Sequence, residues 1–382
     1  MTDTPTQDDA PGPAYRAGGS PPWPAVPAVP RELSRLLDAA LRAVVGQYFR
    51  DRRIRAIYRL PAASENLLRA AGRRPYQVGF YRPEFVYDRD GQARLCGLGA
   101  RYPLNGWMAG QLMDAFHAQA PERRPGHDAF LRMLREMHPP GSAAAMVHTG
   151  ERGGEVLLLE NELRRCGVRL LQAHPMELQC EGGRVRVRDQ PVDRCILEMD
   201  RSELPLIPAA ALARLIETGA YCNDVRTLIL VDDKRLLAAL NHAGIMGDCM
   251  EAADYAALRP FLIPSFALSS QQEAEALLAR SCRLIAKPHS GGREAGSRVS
   301  HGCDADEWRR LVRREWPRYM FQEYVEQREF AEPETGFPVR LVGMLLCHNA
   351  ASHGGGVFGG PDDGARDARS RRGKLYSAMV AA

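Results

Sequence analysis

The feature that most constrains this chain is the Asp90-Gly91 pair between two alternating segments, "RPEFVYD" and "QARLCGLG". Asp-Gly flanked by alternating apolar residues is a strong local signal for an antiparallel hairpin. With Asp90 and Gly91 as a two-residue turn, Arg89 faces Gln92. Counting outward then sets Glu84 opposite Gly97 and Arg82 opposite Gly99. A slip of one residue would send every side chain to the other face. Glycine inside a strand packs nothing and costs backbone entropy, so it marks a bulge or a close approach. Gly97 and Gly99 share a face and leave two neighbouring vacancies beside Glu84 and Arg82.

Upstream, a helical pattern begins at Arg31, "RELSRLLDAALRAVVGQYF", after a Pro- and Gly-rich stretch over residues 1–30 that reads as a disordered tail. Downstream, residues 144–148, 153–166 and 168–173 read as strand, helix, strand, an alternation that predicts a parallel α/β layer. "GGRVRVRDQPVDRCILEM" adds a hairpin-like piece and a further strand. In "TLILVDDKRLLAALNHAGI" the apolar run predicts a buried strand followed by a helix that starts at Lys234. Next come "FLIPSFAL", a helix over 271–281, the strand "CRLIAKP", the glycine loop "HSGGREAGS", a helix over 307–314 and the strand "YMFQEYV". No internal repeat is visible.

The chain has 382 residues, enough for two or three domains, with 45% hydrophobic and 26% charged residues. A net charge of +4 is small for this length and gives no reason to expect a nucleic-acid or membrane partner. The nine cysteines are scattered, with no CxxC pair, which argues against a disulfide framework or zinc site and for a reduced, cytoplasmic setting. The first residues are polar and acidic, unlike a signal peptide, and no apolar run is long enough to span a bilayer.

Three places could carry chemistry. Lys287 ends a strand and is followed by "PHSGGREAGSR"; a lysine beside backbone N–H groups of a glycine loop suits phosphate. Taken alone, that loop also fits a plain strand connection. Lys234 at a helix start opposes the helix dipole unless it reaches an anion there; otherwise it is a solvated lysine. "FQEYVEQREF" puts Gln322, Glu323 and Tyr324 at a strand end, with Glu329 six residues after Glu323. Such a strand end could offer its backbone to a purine and the following carboxylate to a ribose, or be a charged edge strand. His148, His174 and His289 read as ordinary histidines, no nucleophile elbow or HExxH motif is present, and no GxGxxG follows a strand in the Rossmann-like middle, which argues against an NAD-dependent oxidoreductase.

In this order the segments "VDDKRLLAALNHAGI", "FLIPSFAL", "LIAKPHSGGREAGSRVS" and "MFQEYVEQREF" resemble the ATP-binding half of the ATP-grasp family. The matching hairpin, "YRPEFVYDRDGQARLCGLGARYPLNG", precedes that half. This order resembles the circularly permuted ATP-grasp proteins similar to glutathionylspermidine-synthase-like ligases, over roughly residues 75–365. The resemblance implies an α/β fold in four parts: the tail at 1–30, a helical segment with the permuted hairpin at 31–140, a Rossmann-like pre-ATP-grasp segment at 141–228, and the ATP-binding half at 229–382. It implies a ligase that joins a small-molecule carboxylate to an amine through an acyl-phosphate, with ATP and Mg2+ as cofactors, in small-molecule or peptide biosynthesis. Lys234 and Lys287 would contact phosphates under a loop containing Ser290, Gly291 and Gly292. Gln322, Glu323, Tyr324 and Val325 would line the adenine pocket, and Glu329 would hold the ribose. Arg82 and Lys287 would act on the transferred group. Of the family's magnesium ligands, the acid position is Glu84, but the Glu and Asn positions are Gly97 and Gly99. Neighbouring oxygens of Glu84, Asp88, Asp90, Asn105 or a carboxylate of the C-terminal loop could substitute, although Asp88, four residues nearer the turn, lies about 13 Å away at strand rise, too far to chelate the same ion. The alternative is a pseudo-ligase that binds nucleotide or an enzyme partner without catalysis.

Overall fold

Leu33, Leu36, Leu37, Ala40, Leu41 and Val44 recur at three- and four-residue spacing, and all six are buried on one face of the helix Glu32–Gln47. The computed structural model describes residues 29–30, 32–101, 127–150, 154–291, 296–331, 336, 338–360 and 374–377. The tail expected at 1–30 lies almost wholly outside the described residues. Two further helices, Arg52–Tyr58 and Ala62–Ala71, follow the first. All three feed the largest apolar cluster, which also takes in Tyr81, Phe85 and Leu95. Burying each such leucine is worth about 1.5–3 kcal/mol.

The hairpin comprises β1 (Phe80–Tyr87) and β2 (Ala93–Gly99). Its turn differs from the two-residue expectation. The Asp88 N–H donates to the Gln92 carbonyl at 3.0 Å, so Arg89, Asp90 and Gly91 form a three-residue loop. The Asp88 carboxylate accepts the N–H groups of Asp90 and Gln92, at 3.1 and 2.8 Å. This side-chain-to-backbone closure competes with the shorter turn, and Gly91 takes the φ of +79° that the loop needs. Near the turn the register is therefore one residue from the expected one, with Tyr87 opposite Ala93 and Phe85 opposite Leu95. An irregularity at Cys96 then restores it: Glu84 faces Gly97 and Arg82 faces Gly99, as the sequence predicts.

Strands β3 (Ala143–Val147), β4 (Arg169–Ala173), β8 (Arg194–Leu197) and β9 (Tyr221–Cys222) form a parallel sheet in the order β4-β3-β8-β9. The helix Gly154–Arg165 makes the first crossover. All five residues of β3 are buried, as expected of a parallel strand covered on both faces. Between β4 and β8 lies a small antiparallel sheet of β5 (Leu178–Glu181), β6 (Arg184–Val187) and β7 (Gln190–Pro191).

The run Thr227–Val231 corrects a second expectation. It is a π-helical turn, not a strand, with all five residues buried and the Asp232 N–H bonded to the Thr227 carbonyl. A short apolar run is equally compatible with a buried strand and a buried helical segment. Here Asp224 accepts the Thr227 and Leu228 amides through its carbonyl and starts the helical path. Lys234 sits in the turn before the helix Leu236–Asn241, not in its first residue.

A second antiparallel sheet has β10 (Ser265–Phe266), β11 (Leu284–Pro288), β12 (Arg298–Val299) and β13 (Tyr319–Glu323), ordered β10-β13-β11-β12. It has its own apolar cluster, including Leu268, Leu284, Val312 and Phe321. The chain then returns through β14 (Phe330–Ala331), β15 (Pro338–His348), β16 (Ala351–Gly360) and β17 (Lys374–Ser377) to the hairpin. The resulting sheet is ordered β17-β16-β15-β1-β2, with β14 beside β15. Glu84 of β1 thus faces Met344 of β15 on one side and Gly97 of β2 on the other.

Candidate anion-binding site

Lys287 reaches from β11 into a buried position, 7% exposed. Its ammonium donates to the Cys96 carbonyl at 2.7 Å and to the Gln322 Oε1 at 2.9 Å. Gln322 is held in turn by Ser265, whose Oγ accepts from Nε2 at 3.0 Å. Both acceptors on Lys287 are neutral. The Cys96 carbonyl lies at the hairpin irregularity, so the departure from regular pairing presents an oxygen to the lysine.

Lys234 approaches from the turn after the π-helical segment. Its ammonium donates to the Gly291 carbonyl at 2.6 Å, and its amide donates to the His289 carbonyl at 3.2 Å. Burial pulls this lysine below its ordinary range; Asp232 opposes that shift, Lys287 adds to it, and Glu84 also acts on it. Lys234, Lys287 and Glu84 therefore share one electrostatic neighbourhood. Neither lysine makes an ion pair with a carboxylate among the described residues. A buried cation without a counter-charge carries a desolvation cost of several kcal/mol. That cost falls on Lys287; Lys234 is half-buried, and Asp232, Asp233 and Glu84 act on it.

The hairpin supplies the third side of the site. Arg82 and Glu84 lie across the two glycines and are paired: Nη2 donates to Oε1 at 2.5 Å and Nε donates to the same oxygen at 3.2 Å. A Cβ on Gly97 would stand 2.9 Å from Glu84 Oε2, and one on Gly99 would stand 3.6 Å from Arg82 Nη2. The vacancies left by the glycines are thus occupied by the Arg82–Glu84 pair.

Several supporting residues were not singled out from the sequence. Asp233 is buried between Arg235, which donates to it at 2.6 Å, and Arg201, also paired with it. Burial works against the Asp233 charge, but the two arginines hold its carboxyl below the usual range. Arg201 also donates to His289 Nδ1 at 2.7 Å. Burial, then Arg235, push His289 down to about 4, so it stays neutral and accepts. This network fixes the turn that carries Lys234. Asp232 accepts the Ala100 amide at 2.7 Å, and burial raises its carboxyl above the ordinary range. Asn223, after β9, accepts the Phe80 amide at 2.8 Å, and its Nδ2 lies 2.7, 2.8 and 2.6 Å from the carbonyls of Phe80, Ala100 and Arg101. It locks both hairpin strands to the parallel sheet. The "NDVR" and "VDDKR" runs were the only sequence signals for Asn223, Asp232, Asp233 and Arg235, and polar runs beside apolar ones are common.

The remaining expected positions are dispersed along the same strands. Ser290 and Gly291 are exposed after β11, and Gly291 has φ +88°. Gly292, Pro103, Asn105 and Gly106 lie outside the described residues. The Glu323 amide donates to the Pro264 carbonyl and the Tyr324 amide to that of Arg283, both at 2.9 Å. Tyr324 meets His301 edge-on at 4.7 Å, and Val325 follows, half-buried. Glu329 is exposed, with Arg340 at 3.6 Å.

The donor set does not suit magnesium. Glu84 is committed to Arg82, and the described residues contain no group of three or more His, Cys, Asp or Glu placed to hold a metal ion. Magnesium wants hard oxygens in a near-octahedral shell, and the two lysines oppose it. Two ammonium groups and a guanidinium are donor types that suit a phosphate.

Fold and site together show an α/β protein in which a parallel sheet, an antiparallel sheet and a hairpin paired with a late strand bring Lys234, Lys287 and Glu84 into one neighbourhood. The family model described as the AnkG N-terminal domain matches residues 33–230, just over half of the chain, and the chain belongs to that family. The matched span includes the hairpin and the parallel sheet and ends at the π-helical turn, so Lys234 and Lys287 fall beyond it. No curated protein matches the chain. No helix among the described residues is long and apolar enough to cross a membrane.

Proposed function

We propose that this chain binds ATP in a cleft of circularly permuted ATP-grasp architecture, of the kind used by carboxylate–amine ligases. The observation that carries the reading is the pair of half-buried and buried lysines, Lys234 and Lys287, with neutral acceptors and no ion-paired carboxylate. The return of β15 alongside β1 supports the permuted arrangement, because it joins an early hairpin to late strands in one sheet. The Gly291 carbonyl accepts from Lys234, and the chain after β13 would be the adenine-side wall.

In a ligase, a substrate carboxylate would attack the terminal phosphoryl group, ADP would leave, and an amine would displace phosphate from the acyl-phosphate. Arg82 would steady charge on the acyl oxygens. A second reading, nucleotide binding without ligation, is favoured by a specific observation: Gly97 and Gly99 give no ligand, and Glu84 is held by Arg82.

Calorimetric titration with ATP tests the common core of both readings. Wild type is expected to bind ATP, and Lys234→Ala to weaken it by about 1.5–3 kcal/mol, the scale of a hydrogen bond to a charged group, with adenosine binding unchanged. Wild type that takes up no ATP removes the proposal. Release of ADP and phosphate with candidate acids and amines separates ligase from binder.

A further inference from the structure

The hairpin glycines have a use that follows from what lies on them. Glu84 Oε2 sits 2.9 Å from the place a Gly97 Cβ would take, so no larger residue fits there without moving Glu84. With glycine present, Glu84 lies flat over β2 and meets Arg82, which rests above Gly99. A carboxylate held bidentate or by two N–H groups of an arginine is a poor metal ligand, since a cation must first displace the guanidinium. Arg82 spends Nε and one Nη2 hydrogen on Glu84, and a guanidinium carries five N–H donors in a planar fork. The pair is 17% exposed at Arg82 and 31% at Glu84, so solvent reaches it. Lys287 reaches the carbonyl of Cys96, and Cys96 Sγ donates to the Glu84 carbonyl at 3.3 Å, which places the lysine against the same stretch of hairpin.

We propose that this site holds its phosphate ligand with protein cations alone, Arg82 standing where a divalent cation would otherwise bridge the phosphates to the hairpin. The proposal rests on the nucleotide reading above and concerns how that site neutralises charge. Three cationic side chains, Arg82, Lys234 and Lys287, then face the anion, and Glu84 orients the guanidinium without binding metal. Glu84 is a positioning residue in this scheme.

The experiment is ATP titration of the full chain in EDTA and in excess magnesium, for wild type, Glu84→Gln and Arg82→Ala. Wild type is expected to bind ATP at least as tightly in EDTA, because free ATP carries the charge that the cations meet. Glu84→Gln, which keeps the size of the side chain but removes the carboxylate that orients the guanidinium, should weaken binding in EDTA without making it depend on magnesium. Arg82→Ala should weaken it by about tenfold or more, matching the loss of about 1.4 kcal/mol or more. ATP binding that requires magnesium, and is lost in Glu84→Gln, overturns this inference and leaves the nucleotide reading standing. Wild type that binds ATP in neither condition overturns both. Circular dichroism and melting of each variant establish that it is folded, and Arg82→Lys, which keeps the charge but not the fork, serves if Arg82→Ala does not fold: binding in EDTA equal to wild type would then overturn the role of the guanidinium.

Discussion

Replacing Lys287 by Met keeps the length of the side chain and removes its charge. Two acceptors lose their donor, the Cys96 carbonyl and Gln322 Oε1. A buried acceptor left unsatisfied costs about 1–3 kcal/mol, so the loss is about 2–6 kcal/mol. Against it stands the desolvation of an ammonium that is 7% exposed and has only neutral partners, a penalty of several kcal/mol that the substitution removes. The thioether also adapts to irregular space. The two terms nearly cancel, and the ligand-free variant should melt within a few degrees of wild type. A lysine retained for structure behaves differently: removing one partner of a buried ion pair destabilises by about 3–5 kcal/mol. ATP separates the cases further. At a hundred times its Kd a ligand stabilises the folded state by about 2.7 kcal/mol. Wild type should show that upward shift in a thermal melt, and Lys287→Met at the same ATP concentration should lose most of it. The reasoning is refuted if the variant keeps the full ATP shift, or if it collapses without ligand.

Two further expectations concern the fold that carries the site. His138, His289 and His348 are each pushed down to about 4, in every case first by burial. The unfolded chain protonates them near 6.5 while the folded chain does not, so stability is full above about 6.5 and falls as pH drops toward about 4, by up to about 1.4 kcal/mol per unit for each histidine; melting temperatures that stay flat from pH 7 to pH 5 would contradict this. Asn223→Asp keeps the acceptor for the Phe80 amide but loses the amide donors to Phe80, Ala100 and Arg101, and a carboxylate facing buried carbonyls should destabilise by about 3–5 kcal/mol, read as a large fall in melting temperature that Asn223→Gln does not need to rescue.

The elements legible in the sequence were those with a strong period. The helix Glu32–Gln47 shows its stripe of leucines, and the parallel layer shows strand–helix–strand alternation, so both stand within a residue or two of the expected places. The run Thr227–Val231 had no period to read: five apolar residues fit either a strand or a helical turn. Which one forms was decided by distant groups. Tyr58 donates to the Leu230 carbonyl, and Thr227 Oγ1 donates to the Val78 carbonyl. The Arg201–Asp233–Arg235 network was invisible for the same reason, since Arg201 lies 32 positions from Asp233 in the chain. Lys287 was legible because a lysine ending a buried strand conflicts with its surroundings. Such conflicts between local rule and position are where function is expected.

The hairpin shows why a correct pairing at the site did not require a correct turn. Asp88 closes a three-residue loop and shifts the register by one. Left uncorrected, that shift would have set Glu84 opposite Cys96 and turned the glycines away from it. The irregularity at Cys96 removes the shift before the site begins. It also breaks the regular ladder there, where the Cys96 carbonyl takes a side-chain donor. Lys287 provides it, at 2.7 Å. One extra residue on β2 therefore does two things at once: it returns Gly97 and Gly99 to the face of Glu84 and Arg82, and it gives the buried lysine an anchor on the hairpin. Deleting Cys96 should therefore separate the two features: the ladder closes with Phe85 still opposite Leu95 and Glu84 still opposite Gly97, while Lys287 loses the carbonyl that anchors it.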